Sequence, residues 1–145
     1  MTILKRVTPA DFYMGRLERG CDLWDEIANF CIKENISLGR IEAIGAVQKA
    51  RIGFYNQESL EYQFLDLNQM LEITCLKGNV SVKDGEPMIH AHITLSDEKG
   101  NCYGGHLSPG TAVFVCELLI QAFDGPLLER GYDEETGLPL WNMED

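Results

Sequence analysis

The sequence holds three histidines, His90, His92 and His106, all within one short stretch. Imidazole serves as metal ligand, general base or proton shuttle, so their mutual placement decides what chemistry they can do. Ile89, Ala91, Ile93 and Leu95 recur with period two, which predicts a strand with that set facing a core. Met88, His90, His92 and Thr94 then share the opposite face. The next five residues, Asp97-Glu98-Lys99-Gly100-Asn101, fit a three-residue hairpin loop. Glu98 and Lys99 form the turn and Gly100 supplies the left-handed bulge residue. With Asp97 opposite Asn101, His92 falls opposite His106, their Cβ atoms about 4.5–5.5 Å apart. His90 is one same-face step from His92, about 6.6 Å along the strand. Three imidazoles so spaced can converge on one ion with Zn–N bonds of about 2.0–2.1 Å. Gly104 and Gly105 precede His106 and leave room beside its ring. Cys102 shares that face but is about 13 Å away along an extended strand, too far to join as a ligand.

Three neutral imidazoles leave one position open on a tetrahedral ion. Catalytic zinc sites have that pattern, whereas structural ones use four protein ligands. Water bound there becomes a nucleophile near neutral pH, or a substrate carbonyl is polarised. The same histidines also suit a solvated or subunit-interface face without metal, and a metal-free acid–base pair. The third histidine, which the hairpin register sets directly across from His92, favours the metal.

The elements that must carry this site read as follows. A short strand is expected at Ile3–Val7 and a helix from Asp22 to about Glu34. Asp22 is its N-cap, and Leu23, Ile27 and Cys31 form a stripe widened by Trp24, Ala28 and Phe30. Gly39–Tyr55 alternates, but its apolar parity switches near Gln48, which predicts a bulge or turn. Strands follow at Glu61–Leu67 and Met70–Leu76, with Asn68-Gln69 as a weak hairpin signal between them. Val80–Val82, Met88–Leu95, Cys102–Leu107 and Thr111–Phe123 complete the set. One principal N-terminal helix and seven or more strands imply an α+β fold with a mainly antiparallel sheet, the whole chain 1–145 being a single domain.

The 145 residues are 45% hydrophobic and 24% charged, ordinary globular usage. The formal net charge of −11 disfavours nucleic acid and anionic lipid as partners. No apolar run approaches the roughly 20 residues of a membrane span, and no apolar stretch follows Lys5-Arg6 to make a signal peptide. Cys21, Cys31, Cys75, Cys102 and Cys116 are odd in number and lack CxxC spacing, so they read as reduced core cysteines of a cytoplasmic protein.

Four segments carry a resemblance: the run 45–55 (GAVQKARIGFY), Gly78-Asn79-Val80-Ser81, the run 85–95 (GEPMIHAHITL) and Gly104-Gly105-His106-Leu107. They resemble the plants-and-prokaryotes conserved (PPC or PCC) domain, in its small stand-alone archaeal or bacterial form, from about Ile3 to Trp141. The resemblance implies an α+β fold, a homotrimer, and a metal, usually zinc, on these histidines. The fold is also similar to that of α-acetolactate decarboxylase, a zinc enzyme; that analogy does not transfer an activity. Plant relatives carry basic Arg-Gly-Arg-Pro segments that enter the minor groove. This sequence contains none, which counts against a DNA-associated regulatory role.

Carboxylates near such a site act as ligands or proton shuttles. Glu42, beside Arg40, is one candidate, with a solvated or interface face as the alternative. Glu117 is another, because a carboxylate in an apolar strand is costly unless paired. Glu86 is the third and reads most simply as part of the turn 84–87. Tyr103 and Leu107 oppose His106 and read as core, and residues 133–137 as an acidic, turn-like solvated loop. Strands with apolar faces and a single helix to cover them leave sheet surface in need of a partner. The function classes that remain are a trimeric metal protein acting on a small oxygen-rich molecule, a DNA-associated module, and a scaffold whose histidines stabilise assembly.

Overall fold

The computed structural model describes residues 4–143. In chain order the elements are β1 (Thr8–Leu17), α1 (Leu23–Lys33), β2 (Gly39–Asn56), β3 (Glu61–Leu67), β4 (Leu71–Lys83), β5 (Glu86–Ser96), β6 (Cys102–Leu107), β7 (Ala112–Asp124), β8 (Arg130–Asp133) and β9 (Leu138–Trp141). β1 to β7 form one antiparallel sheet in the order β1-β7-β2-β4-β5-β6, with β3 also on β2; β8 and β9 form a separate hairpin. One helix against this sheet makes the α+β fold expected.

The helix has both its stops written locally. Asp22 accepts from the backbone N–H of Trp24 and Asp25 at 3.0 and 3.2 Å. At the other end Asn35 takes a left-handed φ of 54°, and Ile36 N–H donates to the Cys31 carbonyl at 2.8 Å. Leu23, Ile27, Ala28 and Cys31 are the buried stripe. They pack with Ile41, Leu76, Ile93, Leu95 and Ile120 of the sheet in one core.

β2 organises the rest. Its register slips between Ala46 and Val47 and again before Lys49 against β7, and between Ala43 and Gly45 against β4, so the parity switch read near Gln48 is a bulged bend. Gly45 makes the bend possible. Its φ is +141°, and a Cβ there would collide with the Val115 backbone carbonyl. Because β2 bends, each of its edges serves two strands. One edge pairs with β7 and then with β6 at Ile52 and Gly53; the other pairs with β4 and then β3. The sheet therefore curls until β6 returns to β2.

Several expectations are corrected. Lys5–Val7 is not strand, and Ile3 lies outside the described residues. The first strand is instead Thr8–Leu17, an edge strand on β7 with a register shift after Pro9. It is mostly exposed and lacks apolar alternation, so backbone pairing to β7 recruits it. Asn68-Gln69 is no hairpin: β3 and β4 do not pair with each other but lie in succession on one edge of β2. Met70–Leu76 and Val80–Val82 merge into the single strand β4, which begins at Leu71. Of the cysteines, Cys31 and Cys116 are buried and Cys21 partly so, but Cys75 and Cys102 are exposed. Cys75 follows the register shift after Ile73, which turns it outward, and Cys102 begins β6 at the hairpin mouth. The acidic segment 133–137 is, as its turn-like composition suggests, a turn, and it joins the strands of the hairpin β8–β9. It is held by Asp133, which accepts from Thr136 N and Oγ1 at 2.8 and 2.6 Å.

Candidate metal centre

The hairpin β5–β6 has the register that its loop dictates. His92 pairs with His106, Leu95 with Tyr103 and Ser96 with Cys102. Gly100 has φ 82° and donates to the Asp97 carbonyl at 3.0 Å. The Asp97 side chain accepts from the backbone of Lys99 and Asn101 and from the Asn101 amide, each at 2.9 Å. Those bonds, the Asn101 side chain's foremost, hold its carboxyl below the usual range. Ile89, Ala91, Ile93 and Leu95 are all buried and seat the hairpin on the core. Gly78 lets β4 lie close, since a Cβ there would be 2.6 Å from the Ala91 Cβ and the His90 carbonyl oxygen.

The outward face gathers the three histidines. His90 Nε2 and His106 Nε2 are 3.0 Å apart. The ring centroids of His92 and His106 are 4.3 Å apart and those of His90 and His92 5.3 Å. One nitrogen from each ring lies within 4.8 Å of the other two. Two nitrogens on one tetrahedral ion at bonds of about 2.0–2.1 Å are ~3.3 Å apart, so small side-chain rotations bring this set to a common ion. Two imidazole lone pairs at 3.0 Å repel unless a proton or a cation lies between them. Burial, then the nearby His106, Arg130 and His92, push the His90 pKa down to about 4. Burial, then His92, also lower that of His106. Both are therefore neutral at pH 7, the form that binds metal.

Two residues join the cluster that the sequence did not announce. Tyr62, on β3, places its hydroxyl 3.1 Å from His106 Nε2. It reaches there over Gly53, which lies beside His106 in register and whose missing side chain would otherwise meet Tyr62 and Phe64. Burial, then Tyr55, raise the Tyr62 pKa, so it keeps its proton at neutral pH. Arg130, on β8, enters the same cavity of about 270 Å³, which Leu138 and Leu140 help close. The alternation of Tyr62 and Phe64 signalled a shared face, but nothing local says which face meets the histidines.

The candidate carboxylates stay away from the cluster. Glu42 pairs with Lys77 and Lys77 with His92, so Glu42 is two strands from the cluster, about 10 Å. It pairs with Arg40 at 3.6 Å. Glu117 is exposed on β7, between the buried Cys116 and Leu118, so it suffers no burial cost and needs no partner. Both carboxylates line a different cavity, with Ile44 and Lys77. Glu86 is exposed opposite Lys83 at the start of β5. Tyr103 and Leu107 pack on the core side as expected. No helix among the described residues is long and apolar enough to cross a membrane.

Residues 5–124 match the plants-and-prokaryotes conserved domain. The chain belongs to that family. Among solved structures, this PCC chain is similar to the metal-containing protein AF0104 from Archaeoglobus fulgidus, with 41% identity and a TM-score of 0.92 over 97% of this chain and 99% of that one. A plant- and prokaryote-conserved protein from Pyrococcus horikoshii is 37% identical, with a TM-score of 0.92 and 99% of each chain covered. A bifunctional GlmU protein of a Synechococcus strain is 30% identical over 128 residues, 86% of this chain, but the chain spans only 19% of that protein's length. The β8–β9 hairpin, with Arg130, lies beyond the matched segment of the PCC family.

Proposed function

We propose that this PCC protein is a homotrimeric metal protein in which His90, His92 and His106 hold one divalent transition metal, zinc being the one the family resemblance implies. The observation that carries this is the convergence of three ring nitrogens to within 4.8 Å on a face turned away from the core. The 41% identical archaeal protein described as metal-containing supports it. A divalent ion with an open position would act as a Lewis acid toward a substrate oxygen, which suits an enzyme acting on small oxygen-rich molecules. Tyr62 would hold a proton beside His106, and the hydrophobic rim of β9 would restrict water. Five free cysteines suit a reducing compartment, and the cytoplasm is the one this reading assigns.

Self-association rests on apolar surface, and the number three on the family resemblance. Phe12, Met14, Ile44, Phe54, Phe64 and Phe114 are each about half exposed or more. Such surface calls for a partner, and further copies of the chain would cover it. Metal analysis of purified protein, with and without His92→Ala, tests the site. Wild type should carry close to one ion per chain and the variant far less; stoichiometric metal in the variant overturns the assignment. A monomeric mass by light scattering at micromolar concentration overturns the trimer.

A further inference from the structure

Arg130 is fixed in the histidine cavity on three sides. Its Nε donates to Ser81 Oγ at 2.7 Å, Nη1 to the Pro139 carbonyl at 2.9 Å and Nη2 to Asn79 Oδ1 at 3.0 Å. The guanidinium also lies over the Trp141 ring, 5.3 Å from its centroid. Asn79 is directly opposite His90 in the β4–β5 register, so the fork is anchored one strand from the cluster. A guanidinium has five N–H donors in a rigid plane. Three are used, which leaves one on each terminal nitrogen for something else. No ion pair among the described residues includes Arg130. No Asp or Glu lines the cavity. In a chain of net charge −11, this is a pocket with a fixed cation and no counter-charge.

We infer that the cavity takes a small carboxylate, which pairs with the free N–H groups of Arg130 beside the histidine-held ion. The inference rests on the metal reading above and goes beyond it by naming the ligand class. With three neutral imidazoles, a divalent ion and Arg130, the pocket carries three positive charges and attracts an anion. The planar fork of a guanidinium suits the oxygens of a carboxylate, and one N–H on each terminal nitrogen is left to donate to them. A volume of about 270 Å³ suits a molecule of a few carbon atoms. Preassembly by Ser81, Asn79 and Pro139 means that little side-chain freedom is lost on binding.

The test is calorimetry and visible spectroscopy on the zinc- and cobalt-loaded protein, with malonate, the neutral isostere malonamide and inorganic phosphate as probes. Malonate should bind saturably and perturb the cobalt spectrum, and malonamide should bind at least ~10-fold more weakly. Arg130→Met should weaken malonate roughly 10- to 100-fold with metal content and near-UV circular dichroism unchanged, and Arg130→Lys should fall between. Equal binding of malonate and malonamide by wild type overturns the inference, a comparison that needs no variant to fold. Phosphate binding without malonate binding overturns the carboxylate class, and malonate affinity unchanged in Arg130→Met overturns the role of that residue. Metal-loaded protein that ignores malonate sinks this inference alone, whereas protein that takes up neither zinc nor cobalt sinks the metal reading and this one with it.

Discussion

Acidification should release the metal along a shallower curve than three ordinary histidines would give. Each imidazole must lose its proton to bind, so protons compete with the ion. For an ordinary imidazole of pKa about 6.5, lowering the pH from 8 to 5 weakens binding ~30-fold, and three together would weaken it ~30,000-fold. His90 does not compete in this way, because its surroundings push its pKa down to about 4. At pH 5 it contributes a factor of only about 1.1, which caps the loss near ~1,000-fold. The lowered pKa of His106 reduces it further. Between pH 6 and 5 the logarithm of the zinc affinity should therefore change by less than about two per pH unit. Competition with a chromogenic chelator at each pH reads this directly. A slope of about three above pH 5 would refute the premise that His90 is desolvated among cations. The metal-free fold carries the same signature with a definite sign. The folded pKa of His90 lies below its unfolded value, so the unfolded chain binds more protons between about pH 6.5 and 4. Stability should decline as pH falls through that window and show no pH dependence from this group above it. Near-UV circular dichroism should persist after metal release, because Ile89, Ala91, Ile93 and Leu95 stay buried without it. Collapse of the tertiary signal in step with zinc loss would make the site structural.

Gly45→Ala should destabilise by several kcal/mol or prevent folding, since φ +141° and the Val115 carbonyl both exclude a Cβ; a denaturation midpoint within error of wild type would contradict the bend. Asp22→Ala should cost about 0.5–2 kcal/mol from the lost cap, and more if the 2.6 Å bond from Gly110 N to the same carboxylate matters; urea melts measure it. A·T-rich duplex DNA in about 0.15 M salt should show no micromolar complex, because each chain brings a charge of −11 and affinity requires several cationic contacts to phosphate; gel shift or anisotropy checks it.

The features legible in the linear chain are local ones. The pairing of His92 with His106 follows from a three-residue loop and a period-two apolar set, because in a hairpin the turn sets the register and the buried face sets the orientation. The helix likewise carries its own start at Asp22 and its own stripe. The rest of the site exists only once the chain is folded. Tyr62 reaches His106 only because β2 bends and presents β3 and β6 on opposite edges around Gly53. Arg130 meets Asn79 and the His90 strand across about 50 residues of chain, through a hairpin whose short strands have little alternation to announce them. The same cause hid β1, whereas β3 was legible as a strand and only the bend of β2 decided that it pairs there and not with β4. A strand recruited by unpaired backbone groups at a sheet edge is selected by N–H and C=O donors and acceptors that every residue has, so its side chains need leave no pattern. The carboxylates went the other way: Glu42 and Glu117 share a sheet face with His92, and only the count of intervening strands put them beyond reach of the histidine cluster.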